Sequence, residues 1–369
     1  MKKVVLSVTN DLVTDQRVKR SIGVLREMGC EITLVGRLLP QSLAYSPPFA
    51  HRRMKLFFKK GFLFYAEYNL RLFFFLAFRR YDLYFSNDLD TLLPNTLMAR
   101  LRGKPLVYDS HEFFTGAPEI QDRPLVKGIW RQIEKFCYPQ ADLVITVNQS
   151  IARLLREAYG GAPVVVRNIG DSYLPDPLPD RESLGLPKDD YLLINQGAGI
   201  NVHRGMEELI EALHLLPPEV KLVLVGKGDV VPALKAQVKT RENLQGRVIF
   251  IPPQSYERML CYTMNADLGI SLDKGNNPNY QFSLPNKLFD YIKSGIPVLV
   301  SPVIEVRKIV EHYKIGRVTD HRPENIAKAV KEMRQQGKQA FRQALKLAAE
   351  ENNWEKERQK LREALRPFL

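Results

Sequence analysis

Short apolar runs alternate with amphipathic segments along almost the whole chain. Residues 4–8 are a short apolar strand followed by a polar loop, residues 17–28 carry apolar side chains at helical spacing, and residues 31–36 are a second predicted strand. A strand, a loop, a helix and a second strand in this order predict the opening of a doubly wound parallel sheet. The same succession restarts at residues 191–195. We therefore predict an α/β protein with two doubly wound domains.

The segment between the two halves differs in composition from both. Residues 172–188 are rich in Pro and Asp and show no periodicity, which is typical of a linker. A length of 369 residues also favours two domains over one core. We predict an N-terminal domain at residues 1–171, a C-terminal domain at residues 189–350 and a terminal helical element at residues 351–369.

The most informative local stretch is residues 283–301, SLPNKLFDYIKSGIPVLVS. Ser283 and Asn286 are good helix N-caps, and the apolar positions that follow predict a helix and then a short buried strand. The free N–H groups and positive dipole end of a helix start suit a phosphate, and Lys287 adds a charge there. Asp290 could accept a hydrogen bond from a sugar or ribose hydroxyl. A capped core helix, in which Asp290 only complements the dipole, explains the same pattern equally well.

Two Gly-containing loops follow predicted strands in the C-terminal half. The first includes Gly197 and ends at Arg204, directly before a predicted helix, and the second begins at Gly226. An arginine beside a helix N-terminus is well placed to bind a phosphate. The loop after the first strand of the chain lacks G-x-G-x-x-G, which disfavours a dinucleotide-dependent enzyme.

Polar side chains also follow three predicted strands of the N-terminal half: Asn10 and Asp11, then Asp88 and Asp90, then Asp109, His111 and Glu112. The carboxyl ends of strands face the ligand crevice in open α/β sheets. His111 could therefore contact a substrate or act as an acid or base near neutral pH. Asp88 and Asp90 could bind a divalent metal, but capping of the next helix by one of them is the interpretation we favour.

The composition narrows the choice of partner and compartment. The net charge of +13 predicts attraction to something anionic. The three cysteines are scattered and form no CxxC pair, which argues against a disulfide framework or a zinc site and favours a reducing cytoplasm. The first apolar run is too short for a signal peptide.

From Arg52 to Arg80, basic residues are interleaved with aromatic ones. Residues 61–78 are nearly long enough to span a bilayer, but Glu67 and Arg71 interrupt them at i,i+4 spacing. A spanning helix is therefore not expected. Two interpretations remain open: an amphipathic helix on an anionic membrane surface, and a helix packed on the sheet with its cations extended into water.

Several segments, taken in order, resemble the family 4 glycosyltransferases with the GT-B fold. These segments are VTDQRV, NDLDTLLP, VYDSHE, ADLVITVNQS, VRNIGD and NKLFDYIKSGIPVLVS, and the resemblance covers essentially the whole chain. It implies two Rossmann-like domains facing across a cleft, with the donor on the C-terminal half and the acceptor on the N-terminal half. It also implies that the terminal helix crosses back to the first domain.

The activity implied by the resemblance is the retaining transfer of a sugar from a nucleotide-sugar, such as a UDP- or GDP-sugar, to a saccharide or lipid-linked acceptor. The family generally needs no metal, so no metal and no separate cofactor are expected. The implied catalytic residues are His111, Arg204 and Lys287. The implied donor-binding residues are Gly197, Arg204, Gly226, Ser283, Asn286, Lys287 and Asp290. The implied acceptor-side residues are Asn10, Asp11, Asp88, Asp109 and Glu112.

Two positions depart from the family pattern. The first of the family's two acids falls on Phe282, and the first of its two cations falls on Ala198. Lys287 could replace the missing cation from another helix, because two positive groups from different loops can still hold a pyrophosphate. The missing acid leaves the donor sugar open. It also leaves open a non-catalytic nucleotide-sugar-binding scaffold as an alternative function.

Other functions are less consistent with these residues. A nucleotide-sugar epimerase of the same fold would need more acids and histidines than this chain supplies. Nucleic-acid binding is not expected, because the stretch between Arg52 and Arg80 is apolar between its cations and suits lipid better. We expect a cytoplasmic protein, with peripheral association at the inner face of the cytoplasmic membrane as an option.

Overall fold

The computed structural model describes residues 1–13, 15–40 and 42–369, which form two compact units. Unit 1 contains Met1–Asn168 and Glu357–Leu369, and unit 2 contains Ile169–Lys356. Each unit has one parallel sheet with helices between its strands. The predicted class, α/β with two Rossmann-like domains, is confirmed. Thr14 of the VTDQRV segment lies outside the described residues.

The sheet of unit 1 has seven parallel strands in the order β3-β2-β1-β4-β5-β6-β7. The strands are β1 Lys3–Asp11, β2 Glu31–Arg37, β3 Ala50–Met54, β4 Leu83–Asn87, β5 Leu106–Ser110, β6 Leu143–Thr146 and β7 Val164–Val165. The helices are α1 Gln16–Glu27, α2 Gly61–Ala77, α3 Leu92–Arg102, α4 Pro118–Gln121, α5 Pro124–Cys137 and α6 Gln149–Tyr159. Every residue of β4 and β5 is buried, because helices cover both faces of a doubly wound sheet.

The sheet of unit 2 has six parallel strands in the order β10-β9-β8-β11-β12-β13. The strands are β8 Tyr191–Gly197, β9 Val220–Gly226, β10 Val248–Ile251, β11 Leu268–Ser271, β12 Val298–Val300 and β13 Gly316–Val318. The helices are α7 Met206–Leu213, α8 Val231–Thr240, α9 Tyr256–Met264, α10 Pro278–Gln281, α11 Asn286–Lys293, α12 Ile304–Tyr313, α13 Pro323–Gln336 and α14 Arg342–Glu351. A final helix, α15, spans Trp354–Leu365.

The predicted helix after Ser283 exists, but its capping was predicted incorrectly. The N-cap of α11 is Pro285, and no side chain in the described part of the chain caps it, so neither Ser283 nor Asn286 has that role. Asn286 is instead the exposed first residue of the helix. Gly295 has φ +69° directly after the helix, a conformation that glycine adopts without strain.

Helix α2 occupies most of the basic and aromatic stretch. One face, at i,i+4 spacing, is buried through Phe64, Tyr68, Leu72 and Leu76. The Tyr68 hydroxyl donates to the carbonyl of Val8 in β1 (2.7 Å), which confirms the packed-helix interpretation for this face. Within the described ranges, no helix has both the length and the apolar character that crossing a bilayer requires.

The end of the chain contributes a buried carboxylate to unit 1. Glu357 of α15 is fully buried, and its side chain accepts hydrogen bonds from the backbone N–H and from Nε of Arg167, each at 2.8 Å. A buried charge held this way depends on its partner, because an unpaired carboxylate in the core is costly.

Candidate active site

In unit 1, the side chain of His111 lies between two carboxylates. Strands β4 and β5 are parallel neighbours, with Asn87 in register with Asp109, so the residues that follow them meet at the carboxyl edge of the sheet. His111 Nδ1 is 3.0 Å from Asp88 Oδ2, and Nε2 is 3.4 Å from Asp109 Oδ2. The backbone N–H of His111 also donates to Asp88 Oδ1 (2.8 Å). The predicted residues Asp88, Asp109 and His111 are thus brought together.

These carboxylates set the charge of the imidazole. Burial by itself would lower the pKa of His111, but Asp88 and Asp109 outweigh it and raise the pKa to about 10. The ring is therefore an imidazolium at neutral pH, with a proton on each nitrogen. An imidazolium donates hydrogen bonds but cannot accept a proton, so this geometry favours contact with a substrate over general-base catalysis.

Asp109 is held by a residue that the sequence did not single out. Arg17 of α1 binds its carboxylate with Nε (2.9 Å) and Nη2 (2.6 Å), and Arg17 Nη1 donates to the carbonyl of Val166 (2.9 Å). Both side chains are buried. Arg17 and His111 together outweigh the effect of burial and hold the pKa of Asp109 far below its usual range. Asp109 therefore helps to position the ring of His111 and forms a buried ion pair with Arg17.

The favoured helix-cap interpretation of Asp88 and Asp90 is wrong. Asp88 has φ +60° at the start of the turn before α3, yet neither carboxylate caps a helix within the described residues. Asp88 binds His111, and Asp90 accepts the hydroxyl of Thr9. Burial, with the charge of Asp88, raises the pKa of Asp90 to about 7.

The other predicted acceptor-side residues have different partners. Asn10 donates to Asp15 Oδ2 (3.1 Å). Asp11, the last residue of β1, accepts from Arg53 Nη2 of β3 (3.1 Å) and from the Ser42 hydroxyl (2.5 Å). The carbonyl of Glu112 accepts the hydroxyl of Ser110 (2.8 Å).

The charge of His111 predicts a pH dependence of stability. Because its pKa rises from 6.5 to about 10 on folding, protonated His111 stabilises the fold in full below 6.5, and this contribution disappears as the pH rises through 10. We expect the urea midpoint of the wild type to fall between about pH 6 and about pH 10 more than that of His111→Gln. Parallel declines in the two proteins would contradict the assigned charge.

In unit 2, Arg204 pairs with a buried carboxylate, Asp273, and Lys287 of α11 is close enough to both for their charges to affect its pKa. Arg204 Nη1 donates to Asp273 Oδ2 (2.7 Å), and the guanidinium lies over the ring of Tyr280, 4.4 Å from its centroid. Burial lowers the pKa of Lys287, Asp273 opposes this shift, and the nearby charge of Arg204 adds to it. Among the described residues, Arg204 Nε and Asp273 Oδ1 are buried without a hydrogen-bond partner.

Gly197 and Gly226 end the neighbouring strands β8 and β9 in register. Gly226 has φ +134°, and a Cβ there would lie 1.9 Å from the carbonyl oxygen of Gly197. Only glycine at position 226 allows the ends of these two strands to approach this closely. The predicted role in donor binding stays a prediction.

Asp290 is buried on the inner face of α11. Its carboxylate accepts the hydroxyl of Tyr256 (2.6 Å) and Nε2 of Gln196 (3.1 Å), and Lys293 Nζ lies 3.8 Å from it. The Ser283 hydroxyl is buried and has no hydrogen-bond partner in the described part of the chain. A small polar cluster therefore surrounds the position predicted to meet a ribose.

Sequence reasoning missed Asp273 and Tyr280 as well as Arg17. Asp273 follows the buried strand β11 by two positions. Polar residues directly after a strand face the ligand crevice in open α/β sheets, and applying this expectation to unit 2 as well would have identified Asp273. Tyr280 gave no such signal. It belongs to the short helix α10, which Phe282 follows as the C-cap residue. Within the described residues, no group of three or more His, Cys, Asp or Glu side chains is placed to hold a metal ion.

Comparisons with solved structures identify the fold. Sucrose-phosphate synthase from Thermosynechococcus elongatus superimposes with a TM-score of 0.81 at 17% identity, covering 100% of this chain and 99% of that chain. Anabaena HepE in complex with UDP and glucose gives 0.76 at 18%, with 100% of both chains covered. WaaG, a glycosyltransferase involved in lipopolysaccharide biosynthesis, gives 0.74 at 16%, with 98% of both covered. No curated protein sequence matches the chain.

Two family models match the chain, one in its N-terminal half and one in its C-terminal half. Residues 17–169 match Glycosyltransferase Family 4, and residues 178–352 match Glycosyl transferases group 1. Both matches follow the order implied by the sequence motifs and together they span most of the chain. The protein therefore belongs to the family 4 glycosyltransferases with the GT-B fold.

Proposed function

We propose that this glycosyltransferase is a retaining enzyme that moves a sugar from a nucleotide-sugar to a saccharide or lipid-linked acceptor without a metal ion. The observation that carries the donor assignment is the cluster of Arg204, Lys287 and Asp273 near the start of α11. The retaining outcome rests on family membership. It is tested by the anomeric coupling constant of the product in a proton NMR spectrum.

The charge balance of this cluster favours an anionic ligand. Arg204 is paired with the buried carboxylate of Asp273, and Lys287 lies within the electrostatic influence of both, so the three groups together carry one net positive charge. A diphosphate would supply the missing negative charge and accept hydrogen bonds from Lys287, from the free Nε of Arg204 and from the first N–H groups of α11. The same contacts strengthen as charge develops on the departing phosphate, which is how cations accelerate such a transfer.

The remaining parts of the donor have candidate partners. Asp290 would accept from the ribose, and Ser283 and Asn286 would contact the phosphates or the sugar beside α11. The imidazolium of His111 would donate to the transferred sugar near its reacting carbon. HepE has been solved with UDP and with UDP-glucose, which supports a uridine nucleotide as the first donor to test.

The test of this proposal is thermal unfolding with UDP, GDP, ADP and CMP, each with and without magnesium. A ligand at a hundred times its dissociation constant should add roughly 2.7 kcal/mol to the free energy of unfolding. We expect a magnesium-independent rise of the midpoint with one nucleoside diphosphate. The shift should be lost in Arg204→Met. A shift that requires magnesium would refute metal independence, and no shift with any nucleotide would refute the donor site.

A further inference from the structure

A cavity of about 410 Å³ opens among α2, α3 and α5 of unit 1. We call it the helix cavity, and its principal lining residues are Phe62, Tyr65, Leu93, Phe114, Ile129 and Trp130. The ring of Trp130 lies 5.1 Å from that of Tyr65 and 5.0 Å from that of Phe114. A largely apolar, aromatic-walled cavity of this size suits a hydrocarbon chain better than a saccharide.

The three helices that line the helix cavity also expose apolar side chains. Large hydrophobic side chains on all three helices are exposed: Phe62, Leu70 and Phe74 on α2, Leu97 and Leu101 on α3, and Leu125, Ile129 and Phe136 on α5. The side chain of Leu125 is 84% exposed and that of Leu101 is 76% exposed. Scattered apolar residues are normal on a protein surface, but exposed apolar residues on all three helices that line a cavity favour an interaction site there.

The charged residue that lines the helix cavity indicates the kind of partner. Arg123 is exposed and lines the helix cavity, which puts a guanidinium at the rim. An apolar cavity with a guanidinium at its rim complements a lipid that combines a hydrocarbon chain with a phosphate.

The helix cavity also reaches the polar loops of unit 1. Asn69 lines it and donates its side-chain N–H to the carbonyl of Asp90 (2.8 Å). Phe114 lies three positions after His111 on the same loop. A sugar attached to a lipid in this cavity would therefore be close to the carboxylates around His111.

We propose that the helix cavity binds the hydrocarbon chain of a phosphorylated lipid, whose phosphate pairs with Arg123. Assigning this lipid as the carrier of the sugar acceptor rests on the proposed transferase function. Binding of the hydrocarbon chain and its phosphate does not rest on that function, and it can be measured without any turnover.

Trp130 provides the measurement. The chain has two tryptophans, so Trp354→Phe leaves Trp130 as the reporter within the full-length protein. Farnesyl monophosphate, added without detergent, should change Trp130 emission in a saturable manner. Farnesol should bind more weakly, and inorganic phosphate should cause no change. Equal affinities for farnesol and farnesyl monophosphate would overturn the phosphate contact, and no saturable change would overturn the cavity assignment.

Matched variants locate the binding site. Ala66→Phe projects a ring into the cavity from the exposed side of α2 and should weaken binding at least about tenfold, since each excluded methylene loses its burial. Leu101→Phe introduces the same ring at an exposed position of α3 that does not line the cavity, and it should change nothing. Arg123→Gln should reduce the affinity for farnesyl monophosphate to that for farnesol. Equal binding by the Ala66→Phe and Leu101→Phe proteins would overturn the proposal.

A nucleotide control separates this proposal from the proposed function. The thermal shift with a nucleoside diphosphate should be the same in Ala66→Phe and in the wild type, because Ala66 belongs to unit 1 and the cation cluster to unit 2. Lipid binding without any nucleotide shift would refute the donor site alone. A nucleotide shift without lipid binding would refute the helix cavity alone.

Discussion

Lys287→Ala is expected to lower kcat by about 10²–10³-fold, with a smaller rise in KM for the nucleotide-sugar. The reason is that the charge on the departing diphosphate is larger in the transition state than in the bound donor, so a cation beside it acts mainly on turnover. Steady-state kinetics with the nucleotide identified by thermal unfolding would measure both constants.

Two controls make this result specific. Lys328→Ala removes an exposed lysine from α13 and should leave kcat unchanged. Lys287→Arg keeps the charge and should retain more turnover than the alanine variant, although the guanidinium needs more room. If Lys287→Ala turned over donor at the wild-type rate, the placement of the diphosphate at α11 would be wrong.

Arg17→Met is expected to have the largest effect on stability, lowering the free energy of unfolding by about 3–5 kcal/mol. It removes the partner that binds both oxygens of Asp109 and leaves that carboxylate buried without its strongest compensating charge. Urea unfolding measured near neutral pH would give the change.

The double variant Arg17→Met/Asp109→Asn tests this explanation. Replacing the carboxylate by an amide removes the uncompensated charge, so the double variant should be more stable than Arg17→Met alone. A double variant that loses the sum of the two single effects would show that Arg17 stabilises the fold through packing and not through Asp109.

Much of the fold could be predicted because doubly wound sheets leave a clear pattern. Their central strands are buried on both faces and so are continuous apolar runs, as at β4 and β5. The meeting of Asp88 with His111 was also within reach of the sequence, because both follow neighbouring parallel strands. Residues that follow neighbouring parallel strands meet at the carboxyl edge of the sheet, so the strand order predicts which of them lie close together.

Side-chain pairing was harder to predict than strand order. Arg17 and Asp109 are 92 positions apart, and Arg204 and Asp273 are 69 apart, so no local pattern connects them. The capping errors have a different cause. Ser283 and Asn286 have side chains that suit a cap, but the cap position depends on where the backbone enters the helix, and that position belongs to Pro285.

The hydrogen bonds of Glu357 have a consequence for the order in which the chain is made. Its partner Arg167 precedes it by 190 positions, and all of unit 2 lies between them in sequence. During synthesis from the N-terminus, the first 168 residues leave the ribosome long before the helix that completes their core. Until then Arg167 has no Glu357 to bind. Unit 1, whose first residues are synthesised before those of unit 2, is therefore completed after unit 2.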